Sequence, residues 1–402
     1  MIEIGGPEQM FAIESIQLED EAMSFGQCNS GFVVSSTNKK RSAQKNGLEI
    51  MRNVIIHRSH VLVTLLAVIA LTTVSGCIRR ANNEVVVYCA LDREFSQPIL
   101  SDIGKELGMT VLPKFDQESN KTVGLVTGII QNKARPQCDV FWNNEIMHTL
   151  RLEKLGLLEV YRSPRADQLP QQFVSSQNQW HGLAARARVL IVNTDLLPDP
   201  QERPTSIYDL ADPKWKGRCA MARPLFGTTA THAAVLLSEL GQQPAMELLS
   251  KIASNAKIEG GNKQVAIKVA RGQYAFGITD TDDAIIELEN ANPVAIVFPD
   301  QADQQMGALL IPNTLAVIKN GPNPERAKLL VARLLEADVE SRLAAGASAQ
   351  IPVNTTVKDK SRVEKSLGST GVLKVMAADF DSAADAWETS VAKLMELFPT
   401  GG

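Results

Sequence analysis

At 402 residues the chain has room for two domains, each with a core of its own. Its 41 basic and 45 acidic residues leave a net charge of −4, which argues against the basic face of a nucleic-acid-binding protein. The hydrophobic share of 44% is that of an ordinary globular chain.

Residues 1–50 are mixed in polarity and show no periodicity. They are expected to be an upstream extension without structure of its own, with translation starting at Met51. From Met51 a short basic region runs through Arg52, His57 and Arg58 into the apolar run VLVTLLAVIALTTV, which is too short for a comfortable spanning helix. The run ends in Val74-Ser75-Gly76-Cys77, small residues directly before a cysteine. Residues 51–77 thus resemble a bacterial lipoprotein signal with its lipobox. The resemblance implies that Cys77 carries a lipid and anchors the mature protein on the periplasmic face of a membrane. A plain secretory signal or a single-span anchor is the other reading.

Beyond the leader, Glu84–Tyr88 is apolar enough for a strand buried on both faces. A loop, Cys89–Arg93, leads to a predicted helix over Phe95–Leu107. There Pro98 falls in the first turn and Gly108 at the stop. Thr110–Phe115 is a second strand, Lys121–Lys133 an amphipathic helix and Asp139–Trp142 a third strand, followed by Asn143-Asn144-Glu145 and a helix through Leu155. Strands alternating with helices of this length predict a parallel sheet wound on both sides. Trp180–Ala185 and Arg186–Asn193 read as two consecutive strands with no helix between, the mark of a crossing between lobes. A second α/β series follows, with strand Cys219–Ala222, loop Arg223–Thr229, helix Ala230–Leu240 and helix Asn262–Ala270. Residues Gly307–Lys319 read as paired strands just after the return crossing, and two C-terminal helices end at Phe398. Cys89, Cys138 and Cys219 are expected to be buried free thiols, because Cys89 and Cys138 fall at opposite ends of parallel strands.

The stretch Ala275–Ala284, AFGITDTDDA, runs from an apolar strand through a polar loop into a helix. Thr281 or Asp282 can cap that helix while Asp283 favours its positive end. Capping needs only one such side chain, and Thr279, Asp280, Thr281, Asp282 and Asp283 are all offered at a strand end, where ligands bind in open α/β sheets. Gly227-Thr228-Thr229 is likewise either a threonine-capped helix start or a turn whose N–H groups face an anion. Asn262 is a second anion contact or a plain cap. His232 reads as a polar rim residue, and His148 and His181 as structural. No G-x-S-x-G elbow, H-E-x-x-H or P-loop is present. A hydrolase using cleft carboxylates is the reading from another class, and no nucleophile and base can be named for it.

The segments VVVYCALDREF, CDVFWNNEI, YDLADPKWKGR, ARPLFGTTATH, FGITDTDDA and ASAQIP occur in the order found in solute-binding proteins of ferric-iron-type ABC importers. The chain resembles that family over nearly all of residues 84 to about 355. The resemblance implies an α/β fold of two doubly wound lobes joined by crossover strands, the type 2 periplasmic-binding-protein fold. The first lobe is expected over 84–186 plus 304–350. The second is expected over 187–303 plus 351–402, with the C-terminal helices. It implies a non-enzymatic monomer that delivers its ligand to a permease driven by an ATPase, with no resident cofactor. Ferric iron is one transported ligand so implied, alone or with a synergistic anion at Gly227, Thr228 and Thr229. Many iron-binding members use paired tyrosines where Thr281 and Asp282 stand here, so the phenolate site is absent. An all-oxygen site from Asp92, Glu145, Asp280 and Asp282 suits a hard cation. The same acids can pair instead with Arg93 and Arg186, or with the ammonium of an organic solute. Asn144, Glu145, Arg186, Asn262, Thr279 and Thr281 complete the expected ligand set. A phosphonate, a sugar phosphate or a thiamine-like amine is the alternative solute.

Overall fold

The computed structural model describes residues 83–115 and 122–399. The upstream extension, the signal segment and Cys77 lie outside the described residues. Strand β1 (Glu84–Cys89) lies between β2 (Thr110–Phe115) and β3 (Val140–Asn143), all three parallel. β2 forms the exposed edge, which is where Pro113 can be accommodated without breaking a ladder. β9 (Leu310–Val317) runs antiparallel beside β3, and β4 (His181–Asn193) antiparallel beside β9. The second half repeats this order. β5 (Cys219–Ala222) lies between β6 (Lys257–Glu259) and β7 (Phe276–Asp280), all parallel, and β4 runs antiparallel to β7. β8 (Val294–Val297) then pairs with β4. The α/β fold read from alternating elements is therefore present as one curled sheet with two similar halves that share β4.

Two expectations are corrected here. Residues 180–193 do not form two strands but the single strand β4, which pairs with β9 up to Ala187 and with β7 from Arg188. A bulge at Ala184 (φ 47°) interrupts it, and the residue opposite is Pro312, which has no N–H to give to a ladder. The freed groups are satisfied elsewhere. The Ala184 N–H donates to the buried Glu340 carboxylate at 2.6 Å, and Asn313 Nδ2 donates to the carbonyls of Leu183 and Ala184. Likewise Gly307–Lys319 yields one strand, β9, with no turn inside it, because both of its neighbours come from distant parts of the chain.

The helices cover the faces of the two halves. α1 (Arg93–Glu106), α2 (Val123–Gln131) and α3 (Met147–Lys154) follow β1, β2 and β3. α1 starts two residues earlier than predicted, since the Ser96 hydroxyl donates to the carbonyls of Leu91 and Asp92, and Pro98 therefore falls inside it. α4 (Gly227–Glu239), α5 (Gln242–Asn255), α6 (Asn262–Ala270) and α7 (Thr281–Glu289) serve the second half. After β9 come α8 (Pro324–Leu334) and α9 (Ala337–Ala345). Of the two predicted C-terminal helices, the first is a 3₁₀ segment, Arg362–Thr370. The second is α10 (Phe380–Leu397), which packs on α4 and α5 while Asp385 pairs with Lys154 of α3 at 2.5 Å. Cys89, Cys138 and Cys219 are free and buried, as expected. No helix among the described residues is long and apolar enough to cross a membrane.

Candidate functional site

The carboxyl ends of β1, β3, β5 and β7 and the middle of β4 bring the polar side chains together. β7 runs straight into α7 with no loop between, so Asp280 holds the N-cap position and Thr281, Asp282 and Asp283 form the first turn. The Asp280 side chain does not cap. Its Oδ1 accepts from Arg188 Nη1 at 2.5 Å, and its Oδ2 accepts from the Thr228 hydroxyl at 2.6 Å and from Asn262 Nδ2 at 3.1 Å. Burial pushes the Asp280 carboxyl up, but the Arg188 and Arg186 guanidiniums and the Thr228 hydroxyl pull it below the ordinary carboxylate range. Arg188 is fully buried and also donates to the hydroxyls of Thr228 and Thr229, at 3.4 and 3.3 Å. Thr229 donates in turn to Asn262 Oδ1 at 3.0 Å.

Gly227, Thr228 and Thr229 thus belong to the first turn of α4, not to a loop. Gly227 has φ 58°, and a Cβ there would meet no protein atom within 4 Å, so within the chain the glycine serves its left-handed backbone. The Thr281 hydroxyl accepts from the Ala187 N–H at 3.2 Å and ties α7 to β4. The Thr279 hydroxyl donates to the Asn262 carbonyl and ties β7 to α6.

Asp282 is the carboxylate left over. It faces Arg186, whose Nη1 lies 3.2 Å from Asp282 Oδ2 and 3.6 Å from Asp280 Oδ2. Burial raises the Asp282 carboxyl, Arg186 draws it down, and Asp280 and Asp92 push it up again, so it ends above the ordinary range. Asp92, at the N-cap of α1, therefore acts on the cluster from the other half of the sheet. Oxygens of Asp280, Asp282 and Asp283 all lie within 4.8 Å of one another.

The first half also contributes Asn144 and Glu145, just past β3. Arg186 Nη2 donates to the Asn144 carbonyl, and the Asn144 side chain accepts from the Thr122 hydroxyl. Glu145 is buried and takes donors from Asn143, from the N–H groups of Met147 and His148 and from His148 Nδ1, so it holds the start of α3. Its Oε2 also lies 3.5 Å from the Thr231 hydroxyl of α4. Among the described residues Arg93 makes no ion pair with these acids. It stacks on Phe115, 4.8 Å from the ring centre.

His232 is not on a rim. It is buried behind Thr229 with Nε2 unpaired, and burial together with the Arg188 charge pushes its pKa down to about 3. His148 pairs with Glu145, and His181 accepts from the Ser163 N–H, which fits the structural role expected of both. Sequence reasoning passed over Arg188. Its signal was present in Ala185-Arg186-Ala187-Arg188, because residues two apart on a strand share one face.

Two sheet halves of matching order, a shared central strand and polar residues converging at facing strand ends define the type 2 periplasmic-binding-protein fold. Two solved structures show the same architecture. One is the ferric ion-binding protein A of Pasteurella haemolytica, with TM-score 0.69 and 21% identity over 80% of this chain and 100% of that one. The other is a periplasmic binding protein of Actinobacillus pleuropneumoniae with fructose-6-phosphate bound, with TM-score 0.66 and 23% identity over 79% and 99%. Residues 139–379 match the family of bacterial extracellular solute-binding proteins, and the chain belongs to that family. It is also 23% identical over 288 residues to the major ferric iron-binding protein of Neisseria meningitidis serogroup A, spanning 70% of this chain and 84% of the relative.

Proposed function

We propose that this solute-binding protein is the receptor of an ABC importer, and that its cleft takes a solute with a cationic pole at Asp282 and an anionic pole at the first turn of α4. The observation that carries this is the arrangement around β4. Asp280, Asp282 and Asp283 bring three carboxylates to one place, while Arg186 and Arg188 supply two guanidiniums. The three acids exceed the two bases, Asp92 adds a fourth, and the site favours a positive group.

Ferric iron with an accompanying anion is the first form of such a solute. Its hardness suits carboxylate oxygen, and it is the ligand named for the Neisseria relative. Asp92, Glu145 and Asp282 would supply charge from both halves, and Gly227–Thr229 would face the anion. A specific observation favours a second reading, an organic phosphate or phosphonate. Asp282 already has the Arg186 guanidinium as counter-charge, so it suits a hydroxyl or amine of a polar solute, and one structural neighbour has fructose-6-phosphate bound.

Isothermal titration with ferric nitrilotriacetate, with and without inorganic phosphate, and with fructose-6-phosphate separates the two. Submicromolar ferric binding that strengthens with phosphate supports the first reading, and binding of fructose-6-phosphate alone supports the second. Silence toward every probe, with no metal or solute found by elemental analysis and native mass spectrometry of the purified protein, defeats both. Delivery to a permease and its ATPase, and anchoring through Cys77, complete the proposal. Cys77→Ser is expected to lose lipid label and membrane retention, and unchanged retention would remove the anchor from it.

A further inference from the structure

Arg186 touches both halves of the sheet at once. Nη1 lies 3.2 Å from Asp282 Oδ2 and 3.6 Å from Asp280 Oδ2, on the side of β7 and α7. Nη2 donates to the carbonyl of Asn144, beyond β3. Nε is buried and has no partner. Asp280 does not depend on Arg186 for a counter-charge, because Arg188 already holds its Oδ1. Asp282 is different, since among the described residues Arg186 is the cation within ion-pair distance of it.

We infer that Arg186 is the resident counter-cation of the cleft, a latch that neutralises Asp282 and ties the two halves together through Asn144. The tie stands on this geometry alone, whereas its effect on solute binding rests on the cationic-pole reading given above. A second cation at Asp282 is repelled by a guanidinium 3.2 Å away. An incoming positive group that takes Asp282 Oδ2 displaces Arg186 Nη1, and turning the guanidinium aside breaks the bond to Asn144. Solute entry then exchanges the tie through Arg186 for contacts made by the solute itself. Arginine is needed for both tasks, because its planar fork reaches a carboxylate and a carbonyl together, whereas lysine presents a single point charge.

The test compares the full chain with Arg186→Gln and Arg186→Lys, after dialysis against a chelator and with melting curves to establish folding. Hydrogen exchange at 143–146 and 227–232 is expected to quicken by about tenfold in both variants. Affinity for ferric nitrilotriacetate is expected to rise by about tenfold in Arg186→Gln, which removes the competing charge, and to stay near wild type in Arg186→Lys, which keeps it. Unchanged exchange in both folded variants overturns the latch. Ferric affinity that falls in Arg186→Gln overturns the counter-cation role. If none of the three proteins binds the ferric probe, the ferric reading of function fails, and the exchange rates still decide the tie.

Discussion

Asp280 and Asp282 stand two residues apart and have opposite roles. Asp280 is buried against Arg188, Thr228 and Asn262, and removing its charge leaves a guanidinium with no exposure beside an amide. Asp280→Asn is expected to cost about 3–5 kcal/mol of stability, measured by urea denaturation. Asp282 keeps 15% of its side chain exposed and meets one guanidinium. Asp282→Asn is expected to leave the urea midpoint nearly unchanged and to weaken a cationic solute by about ten- to a hundredfold, measured by calorimetry. The reverse pattern would make Asp282 structural and move the binding charge to Asp92 and Glu145. Which residues carry charge was readable from DTDD in the sequence. Which carboxylate is saturated was not, because Arg188 and Thr228 reach Asp280 from segments 92 and 52 residues away.

At the scale of elements, the site depends on how closely α6 lies on β7. Gly277 permits this approach. A Cβ there would sit 2.5 Å from Val265 Cγ1 and 2.8 Å from the Ala220 carbonyl oxygen. Gly277→Ala must push α6 outward, and with it Asn262, the residue that opens the helix and holds both Thr228 and Asp280. The expected cost is about 1–3 kcal/mol in denaturation, together with weaker solute binding. An unchanged stability would mean that α6 yields freely and does not set the spacing. Helix and strand types along these segments followed from apolar periodicity. The bulge in β4 and the single strand β9 did not, because the first depends on where Pro312 meets its partner and the second on pairing with strands from distant parts of the chain.

At the scale of the whole molecule, each half has buried a histidine in its neutral form. Burial, with the Arg162 charge, pushes His181 down to about 4, and burial with Arg188 pushes His232 to about 3. Both lie below the unfolded value of 6.5, so below pH 6.5 the unfolded chain takes up protons that the native state refuses. Stability from these groups is thus complete above that pH and falls as pH drops toward 4, by up to about 1.4 kcal/mol per pH unit for each. His181→Gln should lose less stability than wild type between about pH 7 and about pH 5, measured as urea midpoints. Equal losses would mean that His181 is protonated in the native state. The sequence by itself determined the alternation of strand and helix, the buried free cysteines and the strand ends where polar residues collect, because each is set by local pattern and side-chain chemistry. Only the tertiary structure decided that β4 serves both halves, that Arg188 lies beneath the site and that Arg186 spans it. Those contacts join residues far apart in the chain, and burial, which no local pattern reports, makes a charge choose its partner.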